Sequence, residues 1–339
     1  MGTSLMRTVL SGTQHALRAG DYEAVIASVG ASLRSLTFGG RDLVVPYDAD
    51  QVRPSYRGAT LAPWPNRIVD GRYSFAGAER QVPLTEPARH HALHGLAAWL
   101  DYQPIDKGPS HVTLAATIEP QTGYPWRVLV ATTFSLGPDG LTQSVRATNE
   151  SPDAAPWGTG PHPYLVAGPG SVDEWTLELP ARDVLAVTPD RLIPVELRAV
   201  DSDDPGRFDF REARRIGTVE LDHAYTALTR DEAGFAAVRL TVPGPSPDAA
   251  SASPGASGRE GIAAGSGVEM VWDAACPWVQ IHTSDKGAGV PGHRAGLAVE
   301  PMTCAPDAFN AASYDYDTGL LVLDPEASAE ASWRIAAIS

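Results

Sequence analysis

The sequence predicts an all-β fold: a large antiparallel β-sandwich with few short helices. Three observations point there. Thirty-two glycines and 29 prolines among 339 residues exceed the roughly 12% of ordinary usage and punctuate the chain too often for long helices. Short apolar runs of strand length recur between turn residues. No long segment holds an amphipathic helical period with signals at both ends.

Residues 22–46, YEAVIASVGASLRSLTFGGRDLVVP, read as consecutive strands turned at Gly30 and at Gly39-Gly40. The same rhythm returns at 111–118, 127–136, 141–148, 175–179, 236–242, 268–273 and 278–283, and Pro138-Asp139-Gly140 marks a hairpin. Short helices are expected near 209–215 and 305–311. No fixed-period repeat is present, which excludes propellers and solenoids. Residues 243–267, rich in Gly, Ser, Ala and Pro, predict a flexible loop insertion within one domain spanning 1–339.

With 43% hydrophobic residues the chain can build a sizeable core. Its net charge of −15 opposes phosphate backbones and anionic lipid, so nucleic acid and membrane are poor partners, while a small neutral molecule is compatible. Two cysteines, Cys276 and Cys304, form neither a disulfide framework nor a zinc spacing. The N-terminal stretch has no signal-peptide apolar region and no run long enough to span a bilayer occurs. The expected location is the cytoplasm.

Chemistry concentrates in GATLAPWPNRIVDGRY (58–73), HHALHGLAAW (90–99), GTGPHPYL (158–165), VELDHAYTAL (219–228) and AVEPMTCAPDAFN (298–310). His90 and His94 have the i,i+4 spacing of helical metal ligands, but no glutamate of an HExxH motif lies between them and Gly95 follows at once, so no metal is expected. Gly158 and Gly160 lack the rest of a dinucleotide fingerprint. Ser284 has no nucleophile elbow around it. What remains is general acid/base chemistry from His94, His162, Asp222 and Glu300. Taken singly, each could equally be structural or a solvated surface group.

Read together and in order, PWPNRIVDGRYSFAG, ALHGL, GYPWRVLV, HPYL, LDHAY, VQIHTSD and EPMTCAPDAFN resemble the aldose 1-epimerase (galactose mutarotase) family. The Trp64-Pro65 and His94-Gly95-Leu96 variants look most like a bacterial branch that includes proposed sulfosugar mutarotases. The resemblance implies the galactose mutarotase-like supersandwich, an aldose as small-molecule substrate and no cofactor. It makes His162 the acid toward the ring oxygen and Glu300 the base toward the anomeric hydroxyl. It places His94 near the ring oxygen, and Asn66, Arg67 and Asp222 on the sugar. Two departures bear on which sugar fits: His91 stands where relatives carry asparagine, and Gly158-Thr159-Gly160-Pro161 precedes His162.

Competing readings stay open at this level. A glycosidase would pair Asp222 with Glu300. A non-catalytic carbohydrate-binding sandwich would need no acid/base pair. A mutarotase for a phosphorylated hexose would want clustered positive charge, and the motifs offer only Arg67 and Arg72; a sulfonated or otherwise modified hexose needs less.

Overall fold

The computed structural model describes residues 9–242 and 265–339. Most of the expected loop at 243–267 therefore lies outside the described residues; its last residue, Gly267, already begins the strand Gly267–Trp272.

Strand alternation builds the main layer. In Val128–Gly137 the residues Val128, Val130, Thr132, Phe134 and Leu136 are buried while their neighbours are partly or fully exposed, as a strand with one face on a core requires. This strand joins Gly140–Asn149 through the two-residue Pro138-Asp139 turn, with Gly137 paired to Gly140. Both belong to a nine-stranded sheet in which Gly140–Asn149 is followed by the C-terminal Ser328–Ile338 and then by Gly267–Trp272. The end of the chain thus sits in the middle of the sheet, with Trp333 paired against Trp272. The N-terminal runs form a four-stranded sheet in chain order, Gln14–Ala19, Tyr22–Ala27, Ser32–Phe38 and Arg41–Asp42, as the glycine punctuation predicts.

A six-stranded antiparallel sheet carries Asp222, Gln280, His282 and Glu300. Its order is Tyr164–Leu165, Leu297–Met302, Trp278–His282, Asp222–Leu228, Ala181–Val187, Pro194–Ala199. One apolar cluster joins the sheets, taking Leu17 and Ile26 from the N-terminal sheet, Phe134 and Trp333 from the large one, and Tyr225, Ile281 and Val299 from this one. No helix among the described residues is long and apolar enough to cross a membrane.

Of the two short helices expected, the first is displaced. A single α-helical turn occupies Pro205–Phe208, with Asp204 accepting from the Arg207 amide; Pro205 suits the first helical position. Residues 209–215 instead end in the strand Arg214–Arg215. The second is a 3₁₀ segment, Ala308–Ser313.

Gly95 ties a site-bearing loop to its support. The amides of Leu96 and Ala97 both donate to the Ala62 carbonyl, and a Cβ on Gly95 would lie 2.1 Å from that oxygen. Its φ is +72°, a region that favours glycine. We expect Gly95→Ala to cost more than about 1 kcal/mol and to displace His94. Urea unfolding measures the first effect, and an unchanged midpoint would contradict the close approach.

Candidate active site

Strand register assembles one wall of a cavity of 330 Å³, a size suited to a small ligand. Asp222 pairs with His282, Gln280 with Glu300, and Tyr164 with Ala298. Period-two alternation turns Asp222, Gln280, His282 and Glu300 to the cavity and sends Ile281 and Val299 to the core. His223, one residue on from Asp222, faces the other way and meets the Phe208 ring edge-on at 5.0 Å. Continuing the Tyr164–Ala298 register two residues toward the N-terminus brings His162 across from Glu300, and its Nε2 lies 3.4 Å from the Glu300 Oε1. The His162 backbone is held on both sides, accepting from the Gly58 amide and donating to the Ala59 carbonyl.

Loops supply the opposite wall. Ser55, Tyr56, Asn66 and His94 line the cavity and all have positive φ, between 49° and 61°. Such backbone costs of order 1–3 kcal/mol per residue and gathers where side chains must be aimed. The Tyr56 ring meets the His94 ring edge-on at 4.7 Å, and His94 meets His162 at 5.0 Å. His94 Nδ1 accepts from the Asn66 amide, so the neutral ring carries its proton on Nε2 and acts as a donor.

His94, His162 and Glu300 offer ligand atoms within 4.8 Å of one another, a spacing that could hold a metal. The tautomer argues against it: with Nδ1 occupied as acceptor, His94 Nε2 has no lone pair to give. His90 and His94 do not share a helical face, because His91–Leu93 is a strand.

Arg67 is the electrostatic hub. It donates to both oxygens of Glu86, at 2.8 and 3.1 Å, and lies 3.6 Å from Asp222. Burial works against an ionised Asp222, but Arg67, His282 and a 2.7 Å bond from Gln280 hold its carboxyl below the ordinary value. The His162–Glu300 pair behaves oppositely. Burial, with the nearby Asp222 charge, pushes Glu300 well up despite Arg67; burial, with His282, pushes His162 down to about 3. Desolvation therefore favours a pair with no net charge, holding a single proton. His162 Nδ1, Glu300 Oε2 and Gln280 Oε1 are buried without hydrogen-bond partners among the described residues, which is costly unless a ligand satisfies them.

All six residues singled out from the sequence, His162, Glu300, His94, Arg67, Asp222 and Asn66, line this one cavity. Arg72 does not; it borders a separate surface groove. His91 is spent on structure, with Nδ1 accepting from the Asp70 amide and Nε2 at 2.8 Å from the Arg191 carbonyl. It does not line the cavity. Sequence reading missed Tyr56, Glu86, Arg89 and Lys286. Gln280 and His282 were legible as polar residues two apart in an apolar strand.

A family model described as aldose 1-epimerase matches residues 13–325. An Escherichia coli protein described as uncharacterized, YihR, is 36% identical over 302 residues, covering 88% of this chain and 87% of its own. Among solved structures, a GalM/aldose epimerase homologue from C. elegans superposes with a TM-score of 0.76 at 19% identity, over 96% of this chain and 99% of that one. A galactose 1-epimerase from Lactobacillus acidophilus gives 0.71 at 14%, over 94% and 92%. At those identities the likeness speaks for the β-sandwich fold.

The raised Glu300 fixes a sign for stability. The folded protein keeps a proton that the unfolded chain releases above the ordinary carboxylate range, so this group costs stability increasingly as pH rises from there. Glu300→Gln should therefore melt above wild type at about pH 8, with the gain shrinking toward about pH 4. A gain independent of pH, or a loss at the higher pH, would contradict the buried neutral carboxyl.

Proposed function

The chain belongs to the aldose 1-epimerase family, and from that premise we propose that it interconverts the α and β anomers of an aldohexose by acid/base ring opening and reclosure. The observation that carries this reading is the buried His162–Glu300 contact at 3.4 Å, two proton carriers facing one cavity with unpartnered atoms.

In the charge-separated form of the pair, Glu300 takes the proton from the anomeric hydroxyl as C1=O1 forms and the C1–O5 bond breaks. O5 receives a proton from His162 Nε2. The open aldehyde then rotates about C1–C2, and both transfers reverse on the other face. The pair starts with its proton on His162 and ends with it on Glu300. One proton is held throughout, so neither step leaves a net charge in a desolvated site. His94 Nε2–H donates to the ring oxygen's surroundings, while Arg67, Asp222 and Asn66 hold hydroxyls. Each positioned acid or base is worth roughly 10²–10⁴-fold.

The glycosidase alternative needs a carboxylic acid at Asp222 or Glu300 opposite a free carboxylate. Asp222 is instead tied to Arg67 and Gln280, which suits an acceptor for hydroxyls. A binding module would have no use for an unpartnered titratable pair.

Glu300→Gln and His162→Asn should each lower kcat by roughly 10²-fold or more while KM stays within a few-fold, and the double variant should lose far less than the product. Arg67→Ala should act mainly on KM. Polarimetry of fresh α-D-glucose and α-D-galactose, with circular dichroism to check folding, measures this. A folded Glu300→Gln protein with wild-type kcat would overturn the assignment.

A further inference from the structure

His282 stands on the sheet wall of the cavity and takes no part in proton transfer at C1. Its register places it directly across from Asp222 on one side and from Ala298 on the other. Asp222 and His282 are thus cross-strand neighbours, a relation that sets Cβ atoms about 4.5–5.5 Å apart, and both side chains turn to the cavity.

The backbone fixes what His282 can offer. Its Nδ1 lies 3.2 Å from the Leu221 carbonyl. A carbonyl oxygen only accepts, so Nδ1 carries the proton and, in the neutral ring, Nε2 is left as an acceptor. His94 is the opposite tautomer, with Nδ1 accepting from the Asn66 amide and Nε2–H free to donate. The two histidines therefore present the cavity with opposite polarity.

Asp222 completes an acceptor pair. Its Oδ1 takes a 2.7 Å bond from Gln280, while Oδ2 stands 3.6 Å from Arg67, outside hydrogen-bond reach. Among the described residues, neither Asp222 Oδ2 nor His282 Nε2 receives a hydrogen bond. They cannot serve each other, since neither atom carries a proton. A hydroxyl donates one proton, so two neighbouring acceptors call for two neighbouring hydroxyls.

Strand order indicates which hydroxyls these are. The sheet runs in the order Tyr164–Leu165, Leu297–Met302, Trp278–His282, Asp222–Leu228, so His162, Glu300, His282 and Asp222 succeed one another across it. His162 is assigned to the ring oxygen and Glu300 to the anomeric hydroxyl. A pyranose laid on this wall then runs from O5 through C1 to C2 and C3 in the same direction. Its hydroxyls on C2 and C3 fall at His282 and Asp222.

We propose that His282 is a specificity-determining residue which, beside Asp222, accepts a hydrogen bond from one of the vicinal hydroxyls on C2 and C3, so that the substrate is an aldose hydroxylated at both carbons. This rests on the reading of the site as an aldose 1-epimerase.

The test compares glucose with 2-deoxyglucose and 3-deoxyglucose in wild type and in His282→Phe, which keeps a flat ring and removes the acceptor. Dissociation constants come from NMR titration, anomer exchange from NMR, and folding is checked by circular dichroism. In wild type, loss of either hydroxyl should weaken binding about ten-fold or more, because a desolvated acceptor is left unpaired. In His282→Phe glucose should bind more weakly, and one of the two penalties should shrink to about two-fold or less while the other persists. His282→Gln, whose amide oxygen can reach the place of Nε2, should restore part of the lost penalty. A general loss of packing would weaken all three sugars alike and leave both ratios unchanged. Both penalties unchanged in His282→Phe, or wild-type protein that binds the deoxysugars as well as glucose or binds none of the three, overturns the role of His282. Penalties that depend on His282 without faster anomer exchange for any sugar would uphold that role and overturn the epimerase reading.

Discussion

The proposed active site depends on one register. Tyr164 opposite Ala298 obliges His162 to stand across from Glu300, and a slip of one residue would turn one member of the pair into the core. Antiparallel pairing through Trp278–His282 and Asp222–Leu228 then brings Gln280 beside Glu300 and Asp222 beside His282. Because the sheet's other face contributes Ile281 and Val299 to the core, hydrophobic burial specifies the register and the placement of His162 against Glu300 together.

Around this rigid wall the loops are held by different means. Arg67 bridges Glu86 and Asp222 and so ties the loop wall to the sheet wall. Four cavity-lining residues keep left-handed backbone, and Glu300 and His162 keep buried polar atoms without partners. These are costs in stability that the large sheet and its tryptophan-rich core offset. They leave a cavity whose His162 and Glu300 are desolvated, close and short of partners.

The strands were legible because alternation leaves a local trace, whereas the named site residues were ambiguous singly and became legible through the ordered motifs that resemble the aldose 1-epimerase family. Alternation marks Val128–Gly137, and rigid or unusual contexts mark His162 between two prolines and Glu300 before Pro301. Other residues of the loop wall left no such trace. Tyr56, Glu86 and Arg89 sit in turn-rich stretches where polar side chains are expected whatever their role. His91 and Arg72 stand in the same motifs as cavity-lining residues, yet the structure spends His91 on backbone groups and leaves Arg72 outside the cavity. The helix expected near 209–215 failed for a local reason, since the turn starting at Pro205 ends before Asp209 and the chain then extends into Arg214–Arg215.

The central claim is that the His162–Glu300 pair only moves protons and that the bond between C1 and its exocyclic oxygen never breaks. Anomer exchange of the best hexose followed by NMR in ¹⁸O-enriched water tests this directly. The account predicts that the protein speeds exchange between anomers while ¹⁸O enters C1 no faster than without it. Incorporation of ¹⁸O in step with anomer exchange would contradict it, as would an exchange rate that the protein leaves unchanged.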